Sequence, residues 1–155
     1  MNVVELRRGE AVFVDAGVLH AYLEGLGVEL MAASDNVLRG GLTPKHIDVA
    51  ELMTIVDTST SAPPVLPARP VADGVAVFDA GIADFALWRV AVSGGSTDVA
   101  LNGPAIAVST TGGVTVTAGG SAVALAAGGA VYADEAEATI TVSGTGEVFI
   151  AQPGR

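Results

Sequence analysis

Apolar and polar residues alternate along much of residues 75–151, which is the period of a half-buried β-strand. The alternation is clearest at residues 114–117 (VTVT) and 140–142 (ITV), and glycine pairs such as Gly119-Gly120 mark turns between the runs. Short strands that recur about every 8–12 residues are typical of a β-sandwich or barrel. The predicted strands are Val75–Asp79, Phe85–Val92, Ala105–Ser109, Gly113–Thr117, Ala122–Ala126, Ala130–Ala133, Ala138–Val142 and Glu147–Ala151.

The first part of the chain predicts a small β module followed by one helix. Residues 11–15, 20–23 and 28–32 are β-prone apolar runs, and a turn at Ala16-Gly17 separates the first two. A helix over about residues 48–57 is then indicated by Asp48 as N-cap, with Glu51 three residues later as in a capping box. Apolar residues at i, i+3, i+4 and i+7 predict one buried helix face, made of Val49, Leu52, Met53 and Val56.

A proline-rich stretch separates these two parts. Residues 58–73 (TSTSAPPVLPARPVAD) hold four prolines among Ser, Thr and Ala, which predicts an extended linker or surface strap. We therefore expect a β module with one helix at residues 1–57, a linker at 58–73 and an all-β domain at 74–155. The predicted fold class is mainly β.

The composition narrows the possible partners. A net charge of −10 argues against nucleic acid, because phosphate binding needs a basic face. The sequence has no cysteine, which removes disulfides, thiol nucleophiles and cysteine-ligated zinc. No apolar run reaches the about 18–20 residues needed to cross a membrane, and residues 1–13 lack the apolar core of a signal peptide. We expect a cytoplasmic protein that makes no membrane contact.

Reactive side chains concentrate in residues 9–45. His20, one of two histidines, follows the turn at Ala16-Gly17, where a rigid backbone would suit a metal ligand. A catalytic zinc needs about three protein ligands, so one histidine is not a site. The same stretch holds the cations Arg39 and Lys45 and several carboxylates, which are Glu24, Glu29 and Asp35.

Each of these residues also has a simpler structural interpretation. Arg39 and Lys45 could pair with Asp35 and Asp48 at the surface, and His20 could be a structural histidine. Tyr22 and Glu24 could be strand residues that face solvent. Trp88 and Tyr132 are expected to pack in the second sheet and not to stack on a sugar.

The spacing in this stretch matches a known family. Residues 9–24 resemble the second cupin motif, G-x5-P-x-G-x2-H-x3-N, with Asp15 in place of proline and Glu24 in place of asparagine. Residues 16–24 (AGVLHAYLE), 28–33 (VELMAA), 34–39 (SDNVLR) and 40–49 (GGLTPKHIDV) then resemble consecutive motifs in the catalytic half of type I phosphomannose isomerases. The resemblance covers residues 1 to about 57, and the remainder resembles the degenerate C-terminal cupin of that family in pattern only.

The resemblance implies a cupin-like jelly roll or β-sandwich and a zinc-dependent aldose–ketose isomerase. Members interconvert mannose 6-phosphate and fructose 6-phosphate through an enediol. By resemblance His20 is a metal ligand, and Tyr22 and Lys45 bind substrate. The residues that the resemblance implies as catalytic are Arg39, Glu29 and Asp35. A guanidinium would stabilise charge on the enediol oxygens, and a carboxylate would relay protons.

The same resemblance implies an incomplete zinc site. The other ligands of the family, a Gln-x-His pair and a glutamate, lie upstream of the segment that this sequence matches. We therefore expect the C-terminal portion of such an enzyme, inactive when isolated, with open sheet edges that favour self-association. Two alternatives are a non-catalytic cupin-like module for sugar-phosphate binding or protein interaction, and a purely structural β-domain.

Overall fold

Ten β-strands and one α-helix form the described part of the chain, which is residues 3–34, 36–60 and 62–154 of a computed structural model. All strand pairs are antiparallel, and the mainly β class predicted from the sequence is confirmed. The elements are β1 (Ala11–Val12), α1 (Val49–Ile55), β2 (Val65–Leu66), β3 (Arg69–Ala72), β4 (Val75–Phe78), β5 (Ala86–Ala100), β6 (Ala105–Ser109), β7 (Val114–Ala118), β8 (Ser121–Leu125), β9 (Ala130–Ala133) and β10 (Thr139–Gln152).

A long two-stranded ribbon of β5 and β10 forms the centre of the sheet. The two strands pair along their whole length, from Ala86 opposite Gln152 to Ala100 opposite Thr139. The other edge of β10 is divided, because β7 pairs with residues 141–144 and β6 pairs with residues 148–151. The sheet therefore forks at the middle of β10 into two branches, β7–β8 and β6–β9.

The fork coincides with a β-bulge, and it corrects one sequence prediction. Residues 138–142 and 147–151 were expected to form two strands, but they belong to the single strand β10. The register shifts between Gly144 and Thr145, which pair with Gly95 and Ser93, so the extra residue of the bulge is Gly94 of β5. Gly94 and Gly144 have φ values of 85° and 105°, which residues without a Cβ can adopt, and β10 continues past the bulge without ending.

The core lies between the two branches of the fork. Period-2 alternation along the ribbon sends every second side chain inward, and these side chains meet apolar residues of β6, β7 and β8. The ribbon contributes fully buried Val90, Val99, Ile140, Val142, Val148 and Ile150. Ala105 and Ala107 of β6, which pairs with β10, are buried in the same cluster.

The ends of the ribbon are joined by one buried side chain. Gln152, only 5% exposed, accepts a hydrogen bond at Oε1 from the backbone N–H of Asn102 over 2.6 Å. Its Nε2 donates to the carbonyl of Ala100 over 3.3 Å, and Nδ2 of Asn102 donates to the carbonyl of Gly154 over 2.8 Å. These bonds fix the end of β10 against the end of β5, so the ribbon is rolled back on itself.

Replacing Gln152 by alanine is expected to reduce the free energy of unfolding by about 2 kcal/mol, because one N–H and one C=O lose their buried partners. Urea unfolding followed by circular dichroism measures this loss. Gln152→Glu serves as the comparison, since it keeps the acceptor but loses the donor to Ala100. An alanine variant as stable as the original chain would contradict the assigned role.

The first part of the chain contains less regular structure than the sequence predicts. Only Ala11–Val12 of the first apolar run is a strand, and it pairs with β2. The runs at 20–23 and 28–32 were predicted as β-prone, but they form no strand. Within the described residues no neighbouring backbone provides a ladder for them, and a strand requires one.

The predicted helix is confirmed, but its predicted buried face is wrong. Asp48 caps α1 through a 3.0 Å hydrogen bond from the backbone N–H of Glu51 to its Oδ1. Val49 and Met53 are 63% and 65% exposed, and Leu52 and Val56 are half-buried. In the described part of the chain no element covers the side of α1 that carries Val49 and Met53.

The segment expected to be a linker is extended, and it contains β2 and β3. β3 forms one edge of the large sheet beside β4, and prolines are tolerated at such an edge because they remove only an outward N–H. The domain boundaries at 57 and 74 remain predictions. No helix within the described residues is long and apolar enough to span a membrane.

Candidate functional site

The turn before His20 is held against the end of α1. Within the turn, the N–H of Val18 donates to the carbonyl of Asp15 over 3.3 Å, and the N–H of Ala16 donates to Oδ1 of Asp15 over 2.8 Å. The carbonyl of Gly17 accepts from the N–H of Asp57 over 2.9 Å. Gly17 has a φ of 81°, and a Cβ there would lie 2.6 Å from the carbonyl oxygen of Ile55. This close approach explains the glycine.

His20 is exposed, and its ring is oriented by its own turn. Nδ1 lies 3.3 Å from the carbonyl oxygen of Val18. Because a carbonyl can only accept, this contact requires the hydrogen on Nδ1, and in the tautomer that carries it there alone Nε2 is the nitrogen with a lone pair. The ring of Tyr22 lies edge-on to the imidazole, with 6.2 Å between the ring centroids.

Tyr22 and Glu29, both predicted as site residues, are brought together. Partial burial raises the pKa of the Tyr22 phenol above its ordinary value, and the hydrogen bond to Glu29 and the charge of that carboxylate raise it further. Tyr22 is nevertheless 74% exposed, so this pair lies at the surface. The phenol keeps its proton because its ionised form would repel the carboxylate.

Changing Glu29 to glutamine is therefore expected to lower the pKa of Tyr22. Tyrosinate absorbance against pH reports the titration, and a Tyr132→Phe background leaves Tyr22 as the single tyrosine. Glu24→Gln is the matched control, because it also removes a carboxylate near Tyr22 in the sequence, but one that does not contribute to the raised pKa of Tyr22. Identical titration of the Glu29→Gln and Glu24→Gln variants would show that Glu29 does not interact with the phenol.

The loop that carries Arg39 packs beside the turn that carries His20. A Cβ on Gly40 would lie 2.7 Å from Cδ2 of Leu19, so Gly40 packs against the Leu19 side chain. Arg39 is half-buried, and Lys45 is exposed. Ion pairs within 4.0 Å in the described residues join Arg8 and Arg89 to Glu147, and none involves Arg39 or Lys45.

The alternative surface pair of Lys45 with Asp48 is not formed among the described residues, and Oδ1 of Asp48 caps α1. Lys45 itself receives only a local contact, with its N–H donating to Oγ1 of Thr43 over 3.2 Å. Asp35, the remaining predicted catalytic residue, lies outside the described residues. The arrangement therefore groups the segments of His20 and Arg39 and the pair Tyr22–Glu29.

The described residues do not by themselves fit a zinc ion. No three His, Asp or Glu side chains of residues 3–34, 36–60 and 62–154 come close enough together to hold a metal. His20 is one nitrogen donor, whereas a catalytic zinc needs about three protein ligands.

Comparison with known proteins places this chain in a family, although no family model matches it. It is 37% identical over 149 residues to mannose-6-phosphate isomerase of Escherichia coli, which is 96% of this chain and 38% of that protein. It is also 38% identical over 121 residues to the human mannose-6-phosphate isomerase. The chain belongs to the mannose-6-phosphate isomerase family. It spans less than two fifths of the length of these relatives.

A solved structure of the family has the same fold. The apo form of mannose 6-phosphate isomerase from Salmonella typhimurium superposes with a TM-score of 0.68 at 26% identity, over 81% of this chain and 32% of that one. The resemblance to phosphomannose isomerases read from residues 9–49 is thus confirmed. The roles of the individual site residues remain predictions.

One polar cluster of this family member was missed by the sequence analysis. Glu147 in β10 is buried, and its Oε2 accepts a hydrogen bond from Nε of Arg89 over 2.6 Å and lies 2.6 Å from Nη2 of the same guanidinium. Its Oε1 lies 3.3 Å from Nη2 of Arg8 and accepts from Oγ1 of Thr110 over 3.1 Å. The cluster therefore connects residue 8, next to the predicted site, to the rolled sheet.

The charge of Glu147 is maintained by these partners. Burial raises the pKa of its carboxyl, but the hydrogen bond and charge of Arg89, with help from Thr110 and Arg8, hold that pKa below its ordinary value. The signal for the cluster was a single charge within each of two apolar runs, LWRVAV and GEVFI. A buried charge in a strand needs a partner, so the two charges could have been paired.

Proposed function

We propose that residues 9–45 form one wall of a mannose-6-phosphate isomerase site, which interconverts mannose 6-phosphate and fructose 6-phosphate. Family membership and the names of the relatives support this activity. The observation that carries the proposal is the contact of Gly40 with Leu19, because it brings the loop that contains Arg39 beside the turn that contains His20.

The roles of the side chains follow from the chemistry of the reaction. Moving a proton between C1 and C2 creates an enediol whose oxygens gain negative charge, and the guanidinium of Arg39 would stabilise that charge. Glu29, with Asp35 as the other candidate, would accept and return the proton. Tyr22 would hold Glu29 in place and contact the sugar, and Lys45 would bind the phosphate dianion.

For zinc, we propose only which residue of this chain would be a ligand. His20 has an Nε2 lone pair available and would supply one ligand, while the further ligands would come from polypeptide that the described residues do not include. The isolated chain is accordingly proposed to be inactive. The cytoplasmic location predicted from the sequence is part of the same proposal.

A coupled isomerase assay with added Zn²⁺, run beside metal analysis, tests the isolated chain. We expect no turnover of mannose 6-phosphate and no stoichiometric zinc. Turnover with about one zinc per chain would overturn the assignment of an incomplete site.

A chimera tests the residues themselves. Residues 1–155 would replace the matching segment of the Escherichia coli enzyme, which supplies the rest of the protein. Activity of the chimera is expected to fall by about 10²–10³-fold in kcat on changing Arg39 to alanine, as for the loss of one oxyanion donor. Arg7→Ala, an exposed cation nearby, is the matched control. Equal activities of the two variants would remove Arg39 from the mechanism.

A second candidate is a non-catalytic module that binds sugar phosphate or a protein. It is favoured by the absence of a three-ligand cluster among the residues described. Calorimetric binding of mannose 6-phosphate to the isolated chain without zinc, and without isomerisation, would support it over the isomerase.

Self-association is proposed for the isolated chain. Large apolar side chains are exposed along residues 3–56, and the edge strand β3 is exposed at every residue. Such surfaces favour pairing with a second copy. Light scattering after size exclusion, at several concentrations, is expected to show a dimer, and a monomer throughout would contradict this.

A further inference from the structure

A cavity of about 380 Å³ opens where the two ends of the rolled ribbon meet. Its walls come from β3, β4, the first residues of β5, and residues 98–102 and 152–154. These segments are distant in sequence and are held together by the hydrogen bonds of Gln152 and Asn102. The cavity lies in the sheet and does not include residues 9–45. It is therefore separate from the site proposed above.

The indole of Trp88 provides an apolar wall of this cavity. In the ladder Trp88 lies between Val77 of β4 and Ile150 of β10, and both of these neighbours are buried. The packing that the sequence predicted for Trp88 is confirmed, since the half-buried side chain packs against the core, and Trp88 also lines the cavity. A rigid aromatic ring in a concave site is a suitable surface for the C–H face of a ring-shaped ligand.

Three exposed charged residues, Asp79, Asp98 and Arg69, also line the cavity. Asp79 accepts from the N–H of Gly81 at Oδ1 over 2.9 Å, and Asp98 accepts from Oγ1 of Thr141 at Oδ1 over 2.7 Å. In the part of the chain that the structure describes, these bonds engage one oxygen of each carboxylate. The guanidinium of Arg69 also lines the cavity and forms no ion pair within 4.0 Å among these residues.

The shape and charge of the cavity select a class of ligand. Two carboxylates against one guanidinium disfavour a phosphate dianion, and the net charge of −10 adds to that effect. Free carboxylate oxygens accept hydrogen bonds from hydroxyl groups, and the guanidinium donates to hydroxyl oxygens. A volume near the lower end of the about 300–1,000 Å³ range of ligand pockets suits one small ring.

We propose that this cavity binds a neutral, unphosphorylated monosaccharide, whose apolar face stacks on Trp88 and whose hydroxyls bond to Asp79, Asp98 and Arg69. Gln152 and Asn102 shape the wall, since both nitrogen and oxygen of the Gln152 amide are already engaged. The two carboxylates and the ring also suit a cation, but Arg69 would repel it.

Tryptophan fluorescence tests this directly, because Trp88 is the single tryptophan of the chain. Titration of the full chain with mannose, fructose or glucose is expected to give a saturable change in emission. Mannose 6-phosphate is expected to bind at least tenfold more weakly at this site, a difference of about 1.4 kcal/mol. Choline, the cationic probe, is expected to give no saturation.

Variants connect the signal to the cavity. Asp79→Ala and Asp98→Ala should each weaken hexose binding at least tenfold, whereas Glu135→Ala, an exposed carboxylate elsewhere, should not. The circular dichroism spectrum of each variant should match that of the original chain, which shows that weaker binding is not caused by misfolding. The proposal is overturned by absence of saturation with every hexose, by mannose 6-phosphate binding as tightly as mannose, or by saturation with choline alone.

Discussion

Replacing Gly144 by alanine is expected to destabilise the chain by about 3 kcal/mol or more, among the largest effects of any single change. Gly144 has a φ of 105°, which side-chain-bearing residues rarely adopt. A Cβ there would also overlap the carbonyl oxygen of Gly113, which belongs to the turn before β7. Neither backbone can move without disturbing the fork between β6 and β7. Urea unfolding measures the difference.

The chain provides matched controls for this prediction. Gly95 lies directly opposite Gly144 in the ribbon and has open space around it, so Gly95→Ala should change stability by less than about 1 kcal/mol. Gly94 has a φ of 85° but also open space, so Gly94→Ala isolates the backbone strain, about 1–2 kcal/mol. If Gly144→Ala cost no more than Gly94→Ala, the close approach to Gly113 would be unimportant.

Changing Glu147 to alanine is expected to reduce the free energy of unfolding by about 3 kcal/mol, since it leaves the partly buried Arg89 without its partner. Arg8→Ala should cost less than about 1 kcal/mol, because the side chain of Arg8 is 69% exposed and its contact is screened by water. Denaturant titration of both variants tests this order. Equal losses would mean that the pair with Arg89 adds nothing beyond a surface contact.

The same carboxylate predicts a dependence on pH. Its pKa is held below the ordinary value of 4.5 in the folded chain, so its stabilisation is fully present above that pH. The stabilisation is lost as pH falls through the lower folded pKa, where the folded state must take up a proton. The stability difference between the original chain and Glu147→Gln should therefore shrink below about pH 4.5. A constant difference would exclude the charge as its source.

The sequence predicted most strands of the rolled sheet, because they have a local period and glycine turns, but it ended the strand of residues 85–92 before the end of β5 at Ala100 and placed β3 in the linker. β6 and β9 have the predicted bounds, and the cap of α1 follows from Asp48 and Glu51 alone. The continuity of β10 could not be predicted, since a bulge at glycine and a turn at glycine have the same local sequence. The exposed Met53 shows a second limit of sequence-based prediction. Periodicity identifies an apolar helix face, but it does not show whether another element packs against that face.

The part of the candidate site that the sequence predicted is the part whose motifs follow one another directly along the chain. The motifs from residue 9 to residue 49 identified the family, and the contact of Gly40 with Leu19 joins two of them. The cluster around Glu147 combines it with residues that lie 37 to 139 positions away (147 − 110 = 37 for Thr110 and 147 − 8 = 139 for Arg8), so no local pattern contains it. The cavity at Trp88 depends on how the ribbon rolls, which is a property of the closed sheet and not of any strand.

The position of β10 in the sheet has a consequence for synthesis of the chain. β10 pairs with β5, β6 and β7, and it follows all three along the sequence. During synthesis on the ribosome, the edges of β5, β6 and β7 that pair with β10 therefore stay unpaired until residues 139–152 emerge. Long-range pairing of this kind folds slowly and exposes edges that aggregate. A premature stop before β10 would thus yield a chain that lacks the strand joining β5 to β6 and β7 and cannot complete its sheet.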